Sequence, residues 1–216
     1  LTTSVVHVSA LNVAAAEKAQ MYYFIGEVPV GPVAEVATLE ELEKALAHPD
    51  VTQINITADI ESDKTLQITK EVTIKGLDGL KTISFENKNG FQIVNAGAVT
   101  MEDIKAQVTG DTTGWQGIYA LQAYGTSDVV LKNVSATGAD AGILVNGAQV
   151  TLDGVVDVSG NEFGGIEVSK GVDVATNPKL TGTSANLKND TEASSKKPTV
   201  WIDKVSELTT SVVDVS

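Results

Sequence analysis

Gly125-Thr-Ser-Asp-Val-Val-Leu131, running on to Ala136-Thr137-Gly138, and Gly147-Ala-Gln-Val-Thr-Leu-Asp153, running on to Val158-Ser159-Gly160, are two copies of one pattern. Gly97-Ala-Val-Thr-Met-Glu-Asp-Ile104, continuing to Val108-Thr109-Gly110, is a third, and all three have the same length from opening to closing glycine. A fourth, Gly171 to Leu180-Thr181-Gly182, is shorter by two, so the closing glycines are Gly110, Gly138, Gly160 and Gly182. Self-similarity on this scale marks a solenoid, with about two dozen residues to a coil. Within the copies apolar and polar residues alternate, as in Val99-Thr100-Met101 and Val150-Thr151-Leu152, which is the period of a strand and not of a helix. Between them lie Gly117-Ile118-Tyr119-Ala120-Leu121, Gly142-Ile143-Leu144-Val145 and Gly165-Ile166-Glu167-Val168, so each coil carries two or three short strands.

One coil cannot bury its apolar face alone. Stacking coils about 4.8 Å apart gives parallel sheets whose inward Ile, Val and Leu form rows. The pattern therefore predicts an all-β, right-handed parallel β-helix of at least four coils, with Ile118, Ile143 and Ile166 aligned inside and Thr109, Thr137, Ser159 and Thr181 sharing a polar column at the bends. Upstream, Thr38 caps a helix whose stripe is Leu39, Leu42, Ala45 and Leu46, Glu41 completes a capping box, and His48-Pro49-Asp50 ends it. Such a helix covers the open end of the solenoid. Strands are predicted at Val51 to Ile56, Thr65 to Ile68, Val72 to Lys75, Lys81 to Phe85 and Phe91 to Val94, and 185–197 reads as a surface loop.

A longer repeat joins the two ends. Leu1-Thr-Thr-Ser-Val-Val-His7-Val-Ser9 recurs as Leu208-Thr-Thr-Ser-Val-Val-Asp214-Val-Ser216, with one difference in nine. The inference is a tandem array in which residue 208 begins the next copy: a junction segment at 1–35, the β-helix at 36–205, and a second junction at 206–216. Leu1, Val5, Val6 and Val8 at one end, and Leu208, Val212, Val213 and Val215 at the other, are the expected assembly residues. They pair within the module or with neighbouring copies by strand addition. Leu1-Thr2-Thr3-Ser4 lacks the basic-then-apolar layout of a secretory signal, so the numbering is expected to describe a mature fragment.

From residue 36 to 205, the segments Leu39-Glu-Glu-Leu42 and Val51-Thr-Gln-Ile-Asn-Ile56, the glycine-spaced coils and Lys197-Pro-Thr-Val-Trp-Ile-Asp203 resemble the pectate-lyase-like adhesive domains of large bacterial surface proteins. The resemblance implies the right-handed parallel β-helix, an extracellular place on the cell surface, and a non-enzymatic structural or adhesive role. Lyases of this fold use calcium and a basic residue, usually arginine, to remove a proton. All 15 basic residues here are lysine. Val200-Trp-Ile-Asp203 is similar to a lyase signature that ends in histidine, but Lys204 stands in that place, so the segment reads as an edge strand after the last coil, with Trp201 over an apolar edge.

Other chemistry is thinly represented. Glycoside hydrolysis needs two carboxylates across one bond, and Asp103, Asp128, Asp140, Asp153, Asp157 and Asp173 are scattered, with Asp103 and Asp153 expected on equivalent turns two coils apart. His7 and His48 belong to no catalytic group. With no cysteine there is no thiolate metal site, and no EF-hand or nonapeptide calcium pattern occurs; no cofactor is expected, although calcium at module junctions stays open. A net charge of -13 repels phosphate backbones and anionic lipid, so nucleic acid is excluded as a partner, and no run is long enough for membrane insertion. Trp115, Tyr119 and Tyr124, in the coil with an insertion at Asp111 to Gln116, are the candidate ligand-binding residues, with polysaccharide as the ligand.

Overall fold

The computed structural model describes residues 24–25, 28–29, 32–111, 113–190, 197–203 and 212–216. Apart from a short antiparallel pair, Phe24–Ile25 with Val28–Pro29, all the named strand pairs are parallel, and they form a β-helix of six coils. One sheet of twelve strands bends along a corner to make two faces, and a separate sheet of six strands makes the third.

The corner has a local cause. Asp103 (φ 53°) and Asn133 (φ 52°) sit inside the long strands Gly97–Thr109 and Ser127–Thr137, and Gly154 (φ 61°) follows the strand Gln149–Asp153. A single left-handed residue turns the chain sharply, and Asn, Asp and Gly tolerate that conformation best. Between coils, the Asn133 side-chain oxygen accepts from the Val155 N–H at 3.0 Å.

Stacking registers the interior. Ile54, Ile74, Met101, Leu131 and Leu152 pair in succession on the first face. Leu66, Phe91, Leu121, Ile143, Ile166 and Val200 do so on the third. All but Val200 are buried, and each fully buried aliphatic or aromatic side chain contributes about 1.5–3 kcal/mol of transfer free energy.

The helix Leu39–Ala47 lies where expected, with the Thr38 hydroxyl accepting from the Glu41 N–H at 3.2 Å and Leu42 and Ala45 buried. At its other end the Lys70 ammonium donates to the carbonyls of Ala45 (3.1 Å), His48 (2.5 Å) and Val51 (2.7 Å). Those carbonyls lie in and just after the last turn of the helix, where the negative end of the helix dipole suits a cation. Burial pushes the Lys70 amine below its ordinary value, with Asp50 opposing.

Several registers differ from the sequence expectation. Gly125 and Gly147 do stack in one corner, but above Asn95; Gly97 pairs with Ser127, two positions further on. The hydroxyl column loses both its ends for the same reason, since Thr137 pairs with Gln107 in place of Thr109 and Thr181 pairs with Thr151, while the Ser135–Asp157 register keeps Thr137 and Ser159 together. Ile118 is buried in the shared core, yet Leu121 pairs with Ile143. Asp153 stands in register with Lys132, which is aligned with Glu102, so Asp103 and Asp153 are not equivalent. The segment 185–197 contains a strand, Leu187–Lys188, on the second face. Val200–Asp203 closes the sixth coil and does not follow it: it is the last strand of the third sheet.

The physical reason is that coil length varies. One column of partners on the first face runs Gln53, Thr73, Thr100, Val130, Thr151 and Thr181. The numbers themselves show short coils from Gln53 to Thr73 and from Val130 to Thr151, and long ones from Thr100 to Val130 and from Thr151 to Thr181. Matching glycine to glycine assumes loops of equal length, whereas packing aligns strands.

At the C-terminal end Val213–Val215 pairs in parallel with Lys179–Gly182, and Val212 is buried. Of the assembly residues, Leu1, Val5, Val6, Val8 and Leu208 lie outside the described residues.

Candidate functional site

The third sheet has an inner face in the core and an outer face on which Gln122, Leu144 and Glu167 are also largely covered. On the outer face the middle residue of each strand forms a column: Gln67, Gln92, Gln122, Leu144, Glu167 and Trp201. The first three are linked amide to amide, Gln67 donating to Gln92 at 3.4 Å and Gln92 to Gln122 at 2.6 Å. The last three make a different surface, apolar, acidic and aromatic in turn.

Tyr119 begins the strand Tyr119–Tyr124, and its ring packs with Ala141 and Leu144, with Tyr124 and Trp201 at the margin of that patch. Its hydroxyl donates to the Glu167 carboxylate. Burial first, and then that carboxylate, push the phenol above its ordinary range, so it stays a donor. Tyr124 is raised as well, by burial and then by the charge of Glu167.

Trp115 is carried by the insertion before this strand. Asp140, fully buried, fixes the base of the insertion by accepting from the N–H groups of Gln116 (2.7 Å) and Ile118 (2.9 Å). Trp115 then lies edge-on to Tyr119 at 5.9 Å and to Phe163 at 5.3 Å between ring centres, and remains 51% exposed. Trp115, Phe163, Glu167, Pro198, Trp201 and Asp203 line a depression of about 510 Å³. Gly164 leaves room for its wall, because a Cβ there would come within 2.7 Å of both the Trp201 ring and the Pro198 carbonyl.

Of the three residues selected from sequence, Trp115 and Tyr119 are therefore in direct contact, while Tyr124 stands at the far end of the strand. There it lines a second cavity, about 710 Å³, with Gln92, Asn146 and the loop Gly171 to Thr176. Glu167, Trp201, Phe163 and Asp140 were missed. The strand register would have revealed Glu167 and Trp201 as successors of Gln122, but the variable loops hid that register.

Among the described residues no group of three or more His, Asp or Glu is placed to hold a metal ion, and no helix is long and apolar enough to cross a membrane.

The chain belongs to the pectate lyase-like adhesive domain family, whose model matches residues 33–143, and it is an adhesion-type module. The match covers the cap helix and the coils up to Ile143. No match was found among curated proteins or among solved structures.

Proposed function

We propose that this module is a non-catalytic, extracellular cell-surface adhesin domain that binds carbohydrate on the outer face of its third sheet. The observation that carries this reading is the placement of Trp115, Phe163 and Trp201 around one depression, with Trp115 and Phe163 left 51% and 38% exposed. The core does not require these rings outside it. Clustered exposed apolar surface marks a contact site, and aromatic faces beside polar groups are suited to pyranose rings. Binding to a glycan array, followed by titration of the bound glycan against Trp115→Ala and Trp201→Ala, tests it. Each truncation is expected to weaken binding by roughly 30-fold or more, the loss of one hot-spot aromatic. No glycan bound, or affinity unchanged in both variants, would remove the reading.

A second reading, end-to-end assembly of neighbouring copies, rests on a different observation. The strand Val213–Val215 is the final rung of the ladder, and the segment around it repeats residues 1–9 with one change. A strand edge that accepts Val212 to Val215 can accept Val5 to Val8 of another copy in the same register. Deleting 208–216 then favours concentration-dependent oligomers through 1–9, visible by sedimentation. Monomers at every concentration after that deletion count against it.

A further inference from the structure

The second cavity, of about 710 Å³ at the far end of the strand Tyr119–Tyr124, differs in chemistry from the depression beside Trp115. Gln92 and Val94 are two apart on one strand and share its outer face, and Val94 is in register with Tyr124, so these three form the floor. The loop Gly171 to Thr176 is the wall, and it is pinned from several sides. The Gly171 N–H donates to the Asn146 side-chain oxygen at 2.8 Å, and the Val174 N–H donates back to the Gly171 carbonyl at 3.1 Å. At the base of the loop the Lys170 ammonium donates to the Asn177 side-chain oxygen at 3.1 Å, and the Gln149 amide donates to the Asn177 carbonyl at 3.0 Å. Gly147 lets the wall sit close, because a Cβ there would come within 2.1 Å of the Val174 side chain and 2.8 Å of the Thr176 carbonyl. A wall held in this way is formed before a ligand arrives, which lowers the cost of binding.

Asn95 and Asn146 give the cavity its polarity. Each caps the following coil: the Thr126 N–H donates to the Asn95 side-chain oxygen at 3.0 Å, as the Gly171 N–H does to that of Asn146. A backbone donor on the oxygen settles which way each amide points. Neither NH2 group has an acceptor among the described residues, and both residues line the cavity. Gly171 leaves an opening beside one of them. A Cβ built there would lie 3.3 Å from the Asn146 side-chain nitrogen and 3.8 Å from a Val174 methyl carbon, so a donor and an apolar group flank the same space. Val172, wholly exposed, extends the apolar rim, and Asp173 is the one charged residue lining the cavity.

A ligand matched to this surface is neutral and carries a strong acceptor oxygen beside an apolar group. A carboxylate would accept from the amides too, but Asp173 and a net charge of -13 oppose it. A sugar with hydroxyls alone supplies a weaker acceptor and no methyl. An acetamido group has both, on one carbon.

We propose that this cavity is a second carbohydrate site, selective for an N-acetylated sugar unit. The acetamido oxygen accepts from the Asn146 NH2, its methyl lies against Val172 and Val174, and the ring hydroxyls reach the Asn95 NH2. The site is separate from the Trp115 depression and does not depend on it. Its volume lies within the usual range of small-molecule sites and admits one or two sugar rings.

Calorimetric titration uses the whole chain and its Trp115→Ala variant, in which the depression has lost its exposed ring. The probes are a β-linked N-acetylglucosamine oligomer and a glucose oligomer of the same linkage and length. The acetylated oligomer is expected to bind roughly tenfold tighter or more in both chains, as the loss of one hydrogen bond and one methyl contact implies. Asn146→Asp keeps the oxygen that accepts from Gly171 and replaces only the NH2 donor. It should hold the melting temperature and lower affinity for the acetylated oligomer about fivefold or more. Asn95→Asp should weaken both oligomers alike. Val172→Ser, at a fully exposed position, should weaken the acetylated oligomer about threefold and reads the site even if Asn146→Asp disturbs its cap. Equal affinity for the two oligomers overturns the inference, as does a preference that survives both Asn146→Asp and Val172→Ser. A preference present in the parent and abolished by Trp115→Ala belongs to the depression, which overturns this inference and leaves the carbohydrate reading standing. Binding of neither oligomer also overturns it, and the glycan array alone then decides the depression.

Discussion

Replacing Asp140 by alanine tests whether one buried carboxylate holds the Trp115 insertion in place. Asp140 has no exposed surface, and one of its oxygens accepts from both Gln116 N–H and Ile118 N–H. Gln116 is exposed, so its N–H can turn to water, whereas Ile118 is buried. The loss therefore amounts to one buried donor left unsatisfied, about 1–3 kcal/mol. The other Asp140 oxygen has no partner among the described residues, and its removal offsets part of that figure. For a chain of this size the melting temperature should fall by roughly 3–9 °C. In a Trp201→Phe background, fluorescence reports Trp115 alone, and acrylamide quenching should rise as the ring leaves Tyr119 and Phe163. Asp140→Asn keeps an acceptor oxygen for both N–H groups and should behave nearly as the parent. Unchanged melting and unchanged quenching in Asp140→Ala would refute the assignment.

Asn161→Ala should cost about 2–4 kcal/mol in a urea melt, since the buried amide donates to Ala136 and Val158 and accepts from Ala139, stapling two coils together. Lys70→Met should destabilise the capped end by about 1–3 kcal/mol and raise hydrogen exchange in residues 39–47 before the coils are affected; uniform exchange would contradict this. Asp157 gives an acid-limb prediction. Burial raises its pKa, but the Ser159 hydroxyl and N–H and then Lys188 outweigh burial, so the folded value lies below the ordinary one. Its contribution is thus present above the unfolded pKa and lost as pH falls through the folded value. Asp157→Asn should accordingly flatten stability against pH in that acid window, as followed by circular dichroism melts.

The architecture was legible because it depends on local signals. Glycine-bounded alternating runs specify strands, and Thr38 with the stripe from Leu39 to Leu46 specifies the helix. Registers were legible only where loops happened to match. Gly125 with Gly147 and Gly138 with Gly160 share one spacing and do stack, whereas the long coils from Thr100 to Val130 and from Thr151 to Thr181 displaced Gly97, Thr109 and Thr181. The site suffered most. Trp115 and Tyr119 are near in sequence, but Glu167 and Trp201 approach them only through the ladder, and single-sequence patterns do not encode which strand centres coincide. Asp140 looked like one scattered aspartate because its partners are backbone N–H groups of the preceding coil, which leave no side-chain signature.

The unequal coil lengths have a practical consequence. Because the strands advance by a constant rise, extra chain can bulge from one bend without shifting the rungs on either side. The insertion bearing Trp115 and the loop Gly171 to Thr176 are such bulges, and each walls a cavity over an undisturbed sheet. On the proposed reading, exchanging these outgrowths between otherwise identical scaffolds changes what is bound, as tool heads are changed on a common handle.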